Sequence, residues 1–221
     1  QVMRTKERPL ANGKVSLKAA WILLILMLFF SLFIVLSIPQ ESRNLCLLLS
    51  SLSLPFILLY PSAKRWFQYP QLILSICWGF SVLIPWAASE SSLAGGVTLI
   101  FCWLATILWT FGFDTVYAMA DESEDKVIGL NSSAISLGGK SIKTVSFCYF
   151  LTCFFLALAA LKANLGLIYW PFWLISTLGM QREVFLLSSR TKGIQTSGLH
   201  FTNQVRIGSL LLFGMVLSKV I

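Results

Sequence analysis

AAWILLILMLFFSLFIVLSIPQ, residues 19–40, carries no charged side chain. Residues 71–89, QLILSICWGFSVLIPWAAS, carry none either, and the same holds for residues 91–113. About 20 consecutive apolar residues suffice for a helix to cross the hydrocarbon core of a bilayer. The rest of the chain agrees. Hydrophobic residues make up 57% of it and charged residues only 12%, with a mean hydropathy of +0.79. A soluble domain carries roughly twice that share of charge. Lipid cannot hydrogen-bond a backbone, so a run of this kind must satisfy its own amides as a helix. The expected fold is all-α: a polytopic transmembrane helical bundle.

Working outward, seven spans are predicted, at about residues 18–38, 44–60, 71–89, 93–119, 144–161, 165–187 and 204–221. Pro55, Pro85 and Pro171 fall inside spans and read as modest kinks. The net charge of +8 is distributed by topology and does not call for nucleic acid. With the N-terminus in the cytoplasm, one side collects Arg4, Lys6, Arg8, Lys14, Lys18, Lys64, Arg65, Lys126, Lys140, Lys143, Arg182, Arg190, Lys192 and Arg206. Only Arg43, Lys162 and Lys219, of 17 basic residues, fall on the other. The positive-inside rule orients the chain accordingly. The two long polar loops, 121–143 and 188–203, lie on that basic side, so the chemistry is expected to face the cytoplasm.

The five cysteines (Cys46, Cys77, Cys102, Cys148, Cys153) sit in apolar segments without metal-ligand spacing and read as packing residues. His200 is the only histidine, which leaves a His-based triad or zinc site almost no material. The first apolar run is too long for a signal peptide core and lacks a small-residue cleavage site. Asn131-Ser132-Ser133 forms a glycosylation sequon, but on the cytoplasmic side it reads as chance.

One segment runs against the basic trend. Five of the nine acidic residues crowd into FDTVYAMADESEDKVIG, residues 113–129. Asp114 follows directly on an apolar run, and an ionisable residue at a membrane boundary is a functional candidate by default. At ~100° per residue, Asp114, Asp121 and Asp125 share one helical face to within about 20°, and Tyr117 flanks it by about 60°. Carboxylates in a line, with no histidine or thiolate nearby, suit a hard cation such as Mg²⁺. Glu122 and Glu124 fall off the line and read as a solvated helix end. Asp114 has a second reading, orienting a substrate hydroxyl or a neighbouring side chain.

The segment DTVYAMADESEDKVIGLNSSAI, residues 114–135, resembles the second aspartate motif of the UbiA family, DTxYAxxDxxxDxxxGxxSxA, in the form typical of its 4-hydroxybenzoate polyprenyltransferases. RTKERPLANGKVS at residues 4–16 resembles the family's RTKxRPLxxG, and YPSAK at residues 60–64 its YxxxK. The three occur in the family's order. The family's first motif, NDxxDxxxD, is not in this sequence, and it would stand just before Gln1. The resemblance therefore implies seven spans of a nine-helix fold. Residues 1–221 would form one transmembrane domain, the C-terminal part, without the first two helices and inactive by itself.

The resemblance further implies Mg²⁺-dependent transfer of a polyprenyl group from an allylic polyprenyl diphosphate to the ring of 4-hydroxybenzoate or a related aromatic acid. The product would belong to ubiquinone or plastoquinone synthesis, in a bacterial inner membrane, with the site facing the cytoplasm. Asp114, Asp121 and Asp125 would be catalytic, with Asp121 and Asp125 holding the metal. Lys6, Arg8, Lys64 and Lys126 would bind diphosphate, with Arg4 and Arg65 behind them. Tyr60 and Tyr117 would offer aromatic faces to the acceptor and the allylic cation. Two alternatives stay open: another acceptor within the family (homogentisate, haem or chlorophyll type), and an ion-coupled transporter. A transporter usually binds near the membrane midplane, whereas these carboxylates lie toward one face.

Overall fold

The computed structural model describes residues 7–189 and 194–220. Their helices, in chain order, are α1 (Leu17–Leu36), α2 (Gln40–Ala63), α3 (Pro70–Glu90), α4 (Gly96–Val127), the short α5 (Ser133–Leu137), a 3₁₀ turn (Gly138–Lys140), α6 (Ser141–Lys162), α7 (Tyr169–Ser189) and α8 (Ile194–Val220). No strand occurs among the described residues. The seven long helices correspond one to one with the seven expected spans, and five of them have the length and hydropathy to cross a bilayer. The outward faces are strongly apolar: α1 buries none of its residues and exposes Trp21, Phe29 and Phe33 among others, as a lipid-facing helix does.

Two expected loops prove to be helical. The acidic segment is no loop, because α4 runs on eight residues beyond the expected end at 119. No helix breaker occurs before Gly129, and the helix ends there. Gly129 takes φ +70°, the Leu130 amide donates to Asp125 O at 2.8 Å, and the Gly129 amide donates to Lys126 O at 3.3 Å. This double bond around a left-handed glycine satisfies the last carbonyls. Likewise α8 begins at Ile194, ten residues before the expected span, so His200 and Asn203 belong to a helix rather than a loop. Pro55 and Pro85 lie inside helices as expected, but Pro171 stands in the first turn of α7, where it displaces no intrahelical bond.

The bundle closes around α4, which packs against α3, α6 and α8; α7 then packs on both α6 and α8. Small residues set the close approaches. A methyl group added at Gly112 would lie 2.8 Å from Tyr149 Cε1, so glycine lets α4 meet the ring from α6. The largest buried cluster joins Val116 of α4, Tyr149 and Cys153 of α6, and Tyr169 and Met180 of α7.

Candidate functional site

Five residues, on two helices and the cap of one of them, define the site. At the end of α4, Asp125 is wholly buried and Asp121 is 4% exposed, while Ser123 and Lys126 face outward. The helical period alone puts the two aspartates on one face, one turn apart. Lys64, which caps the C-terminus of α2, reaches across, and its Nζ donates to Asp125 Oδ2 at 2.6 Å. Among the described residues no donor reaches Asp125 Oδ1. One turn back along α2, the Tyr60 hydroxyl donates to Asp114 Oδ2 at 3.4 Å.

The residues between these points hold the frame. Past Gly129 the chain turns back on α2, where the Asn131 amide donates to Lys64 O at 2.7 Å. The Ser132 side chain caps α5 by accepting from the Ile135 amide at 3.2 Å. Ser133 shares a 2.8 Å hydroxyl bond with Thr115, and its amide donates to Gln71 Oε1 at 2.8 Å. Ala134, fully buried, packs on Ala118 and Met119 of α4. Five fixed positions of D-T-x-Y-A…G-x-x-S-x-A thus have a local reason. Thr115 and Ser132 make bonds, Gly129 turns, and Ala118 and Ala134 permit contact.

The remaining expected site residues fall in different places. Lys126 is exposed and donates to Glu122 Oε1 at 2.9 Å, on a face adjacent to the buried stripe. Arg8 is exposed in the turn ahead of α1, and Lys6 lies outside the described residues. Tyr117 is half-buried on α4. Asp114 stands seven residues before Asp121, roughly 10 Å along the axis, beside Tyr60. The stripe therefore divides: Asp121 with Asp125 at its end, and Asp114 with Tyr60 deeper in the bundle.

The donor set suits a hard divalent cation. No group of three or more His, Cys, Asp or Glu side chains among the described residues is placed to hold an ion alone. Two buried carboxylates are present instead, one with an oxygen that meets no donor. Mg²⁺ is commonly bound by one or two carboxylates, with substrate phosphate and water completing its octahedron.

A second buried polar group was invisible to the motif reading. The Tyr149 hydroxyl and His200 Nε2 lie 2.8 Å apart, His200 Nδ1 is 3.7 Å from Glu183 Oε2, and Asn203 Nδ2 donates to Glu183 Oε1 at 2.9 Å. Glu183 inside the apolar run 165–187 was the available signal, because a lone acid there needs a partner. Nearby, α3, α4 and α8 line an apolar groove of about 370 Å³ with Leu74, Trp78, Trp109, Phe113, Phe201 and Val205. Thr110 and Gln204 also line it, and Gln204 Oε1 accepts the Trp109 indole N–H at 2.8 Å.

Fold and site together describe an integral-membrane helical bundle whose longest described helix buries paired acids at its end. The UbiA prenyltransferase family matches residues 1–204, and the chain belongs to that family. It is 38% identical over 217 residues to a 4-hydroxybenzoate solanesyltransferase of Synechocystis, covering 98% of this chain and 72% of that one. Against a 4-hydroxybenzoate octaprenyltransferase of Pseudomonas aeruginosa it is 35% identical over 169 residues, covering 76% of this chain and 55% of the relative. A Neisseria meningitidis octaprenyltransferase is 36% identical, with 63% of its length spanned. The chain thus spans between about half and three quarters of these relatives. In fold it superposes on a UbiA homologue from Aeropyrum pernix K1 with a TM-score of 0.82, at 24% identity, over 98% of this chain and 78% of the other.

Proposed function

We propose that this protein transfers a polyprenyl group from an allylic polyprenyl diphosphate to the ring of 4-hydroxybenzoate, within a bacterial inner membrane and at its cytoplasmic face. The reading takes residues 1–221 as one transmembrane domain and belongs to the synthesis of a prenylated quinone, ubiquinone or plastoquinone. The observation that carries it is the buried pair Asp121 and Asp125 at the mouth of a lipid-facing bundle, beside a lysine. The names of the relatives support the acceptor.

Asp121 and Asp125 would hold Mg²⁺, which when bound neutralises the charge that grows on the departing diphosphate. Arg8, Lys126 and Lys6 would supply further positive charge to the diphosphate, while Lys64 is bonded to Asp125. The C–O bond to diphosphate breaks, a C–C bond forms on the ring ortho to the phenol, and the ring proton passes to a diphosphate oxygen. Tyr60 and Tyr117 would offer aromatic faces to an allylic cation that must meet the ring before water does. Asp114, bonded to Tyr60, would orient that tyrosine or the acceptor hydroxyl. The groove between α3, α4 and α8 is apolar enough to take the isoprenoid chain.

The reading is tested with the full-length protein in membranes from a host that lacks its own transferase. Radiolabelled 4-hydroxybenzoate plus a polyprenyl diphosphate should give a Mg²⁺-dependent, lipid-soluble product. Prenylation of homogentisate in its place would overturn the acceptor. The orientation is tested by a cysteine at the exposed Ser123, which should react with an impermeant maleimide only from the cytoplasmic side.

A further inference from the structure

The sequence pattern offers Lys64 as a cation for the diphosphate, yet its ammonium is directed elsewhere. It makes a short, charge-assisted bond to Asp125 Oδ2, 2.6 Å long, with a carboxylate that is wholly buried. Its backbone is fixed as well, because Lys64 O accepts the Asn131 amide from the loop that follows Asp125. Both ends of the lysine are thus tied to the same stretch of chain. One oxygen of Asp125 is occupied, and the other meets no donor among the described residues.

We propose that Lys64 is a positioning residue for Asp125: by holding Oδ2 it makes Asp125 a one-oxygen cation ligand and so biases the site toward magnesium over calcium. The inference rests on the reading of Asp121 and Asp125 as cation ligands. Calcium takes six to eight oxygens and readily chelates both oxygens of a carboxylate; magnesium keeps a tight octahedron in which each carboxylate gives one. A carboxylate with one oxygen bound to an ammonium offers the second geometry and resists the first. Partners of this kind, one step behind a ligand, orient it and tune what it binds. Tyr60, one turn back, holds one oxygen of Asp114 in the same way, so the Y-x-x-x-K pattern on α2 grips two of the aspartates of α4.

The test uses the full-length protein in nanodiscs with pyrophosphate, and Mn²⁺ followed by electron paramagnetic resonance. Mg²⁺ and Ca²⁺ are each titrated to displace it. Lys64→Met should lower the Mg²⁺-over-Ca²⁺ preference about tenfold, and Lys64→Arg should keep it. The ratio matters because removing a positive charge favours both divalent ions alike. A preference that survives Lys64→Met, with weaker pyrophosphate binding instead, would return Lys64 to the diphosphate and overturn the proposal. Asp125→Asn tests the reading beneath it: retained Mn²⁺ binding there would remove Asp125 from the ligands altogether. A measurement on the unsubstituted protein is independent of any folding defect. Infrared difference spectra with ¹³C-labelled aspartate should show the one-oxygen pattern of carboxylate stretches on adding Mg²⁺, and a chelating pattern would sink the idea.

Discussion

Two buried polar groups lie in different parts of the bundle, one between α4 and the cap of α2 and one shared by α6, α7 and α8, and they differ in what they leave open. On the α2 side, Lys64 meets Asp125, and one carboxylate oxygen meets no donor among the described residues. In the other, Tyr149 bonds to His200 and Asn203 to Glu183 across α6, α7 and α8, with Tyr149, His200 and Glu183 no more than 3% exposed. The atom of the second group that meets no hydrogen-bond partner among the described residues is a ring nitrogen, His200 Nδ1. Interhelical polar contacts of that kind serve as glue in a membrane. The first group sits at a helix end with bonding capacity to spare, which is what a ligand site requires. Burial is therefore no sign of function by itself; a buried carboxylate oxygen without a donor is the feature a hard cation would use.

That contrast can be broken most directly at the aspartates. Asp121→Asn and Asp125→Asn keep the shape of the side chain and remove the charge. Each should lower prenyl transfer by roughly 10²–10³, about 3–4 kcal/mol, while the protein stays folded. Initial rates at saturating Mg²⁺, with size-exclusion profiles beside them, provide the check. Near-normal rates for both variants would erase the distinction between the two groups.

The opposite behaviour is expected of the internal group. Glu183→Ala strips Asn203 of an acceptor, removes the carboxylate beside His200, and should destabilise the bundle by about 2 kcal/mol, between the figures for buried ion pairs in water and polar contacts in bilayers. Transfer per folded molecule should hold, because nothing in the group leads to the mouth of the site. Thermal unfolding monitored by fluorescence, paired with rates normalised to folded protein, tests this. A more than tenfold loss of rate at unchanged stability would instead enlist these residues in the reaction.

The smallest effects should come from the outer face of the same helix. Glu122 pairs with the exposed Lys126, and Glu124 is only half-buried. Glu122→Gln and Glu124→Gln should cost less than about 0.5 kcal/mol and leave rates within about twofold. If they hurt as much as the aspartate changes, α4 carries a diffuse acidic patch and its buried stripe has no special standing.

Most of what could be read without coordinates is local. The seven long helices and the acidic stripe follow from residues close together in the chain. The misreadings arose where helices continue beyond the apolar stretch, at the end of α4 and the start of α8, because hydropathy marks the lipid boundary rather than the helix end. Asp114 was grouped with its partners by angle, and angle alone says nothing of the axial distance that separates it from them.

From its sequence alone this chain is determined to be a helical membrane bundle that turns its basic loops to one side and carries aspartates along one face of its fourth long helix. Those properties depend on a solvent preference summed over about 20 residues and on a rotation of ~100° per residue. Only the tertiary structure decided that Lys64 holds Asp125, that Tyr60 holds Asp114, and that Glu183 meets His200 and Asn203. Helices that are apolar all round carry little pattern to say which face turns inward. Their rotation about their own axes is set by packing, as where Gly112 admits the ring of Tyr149, and that rotation chooses every partner across the bundle.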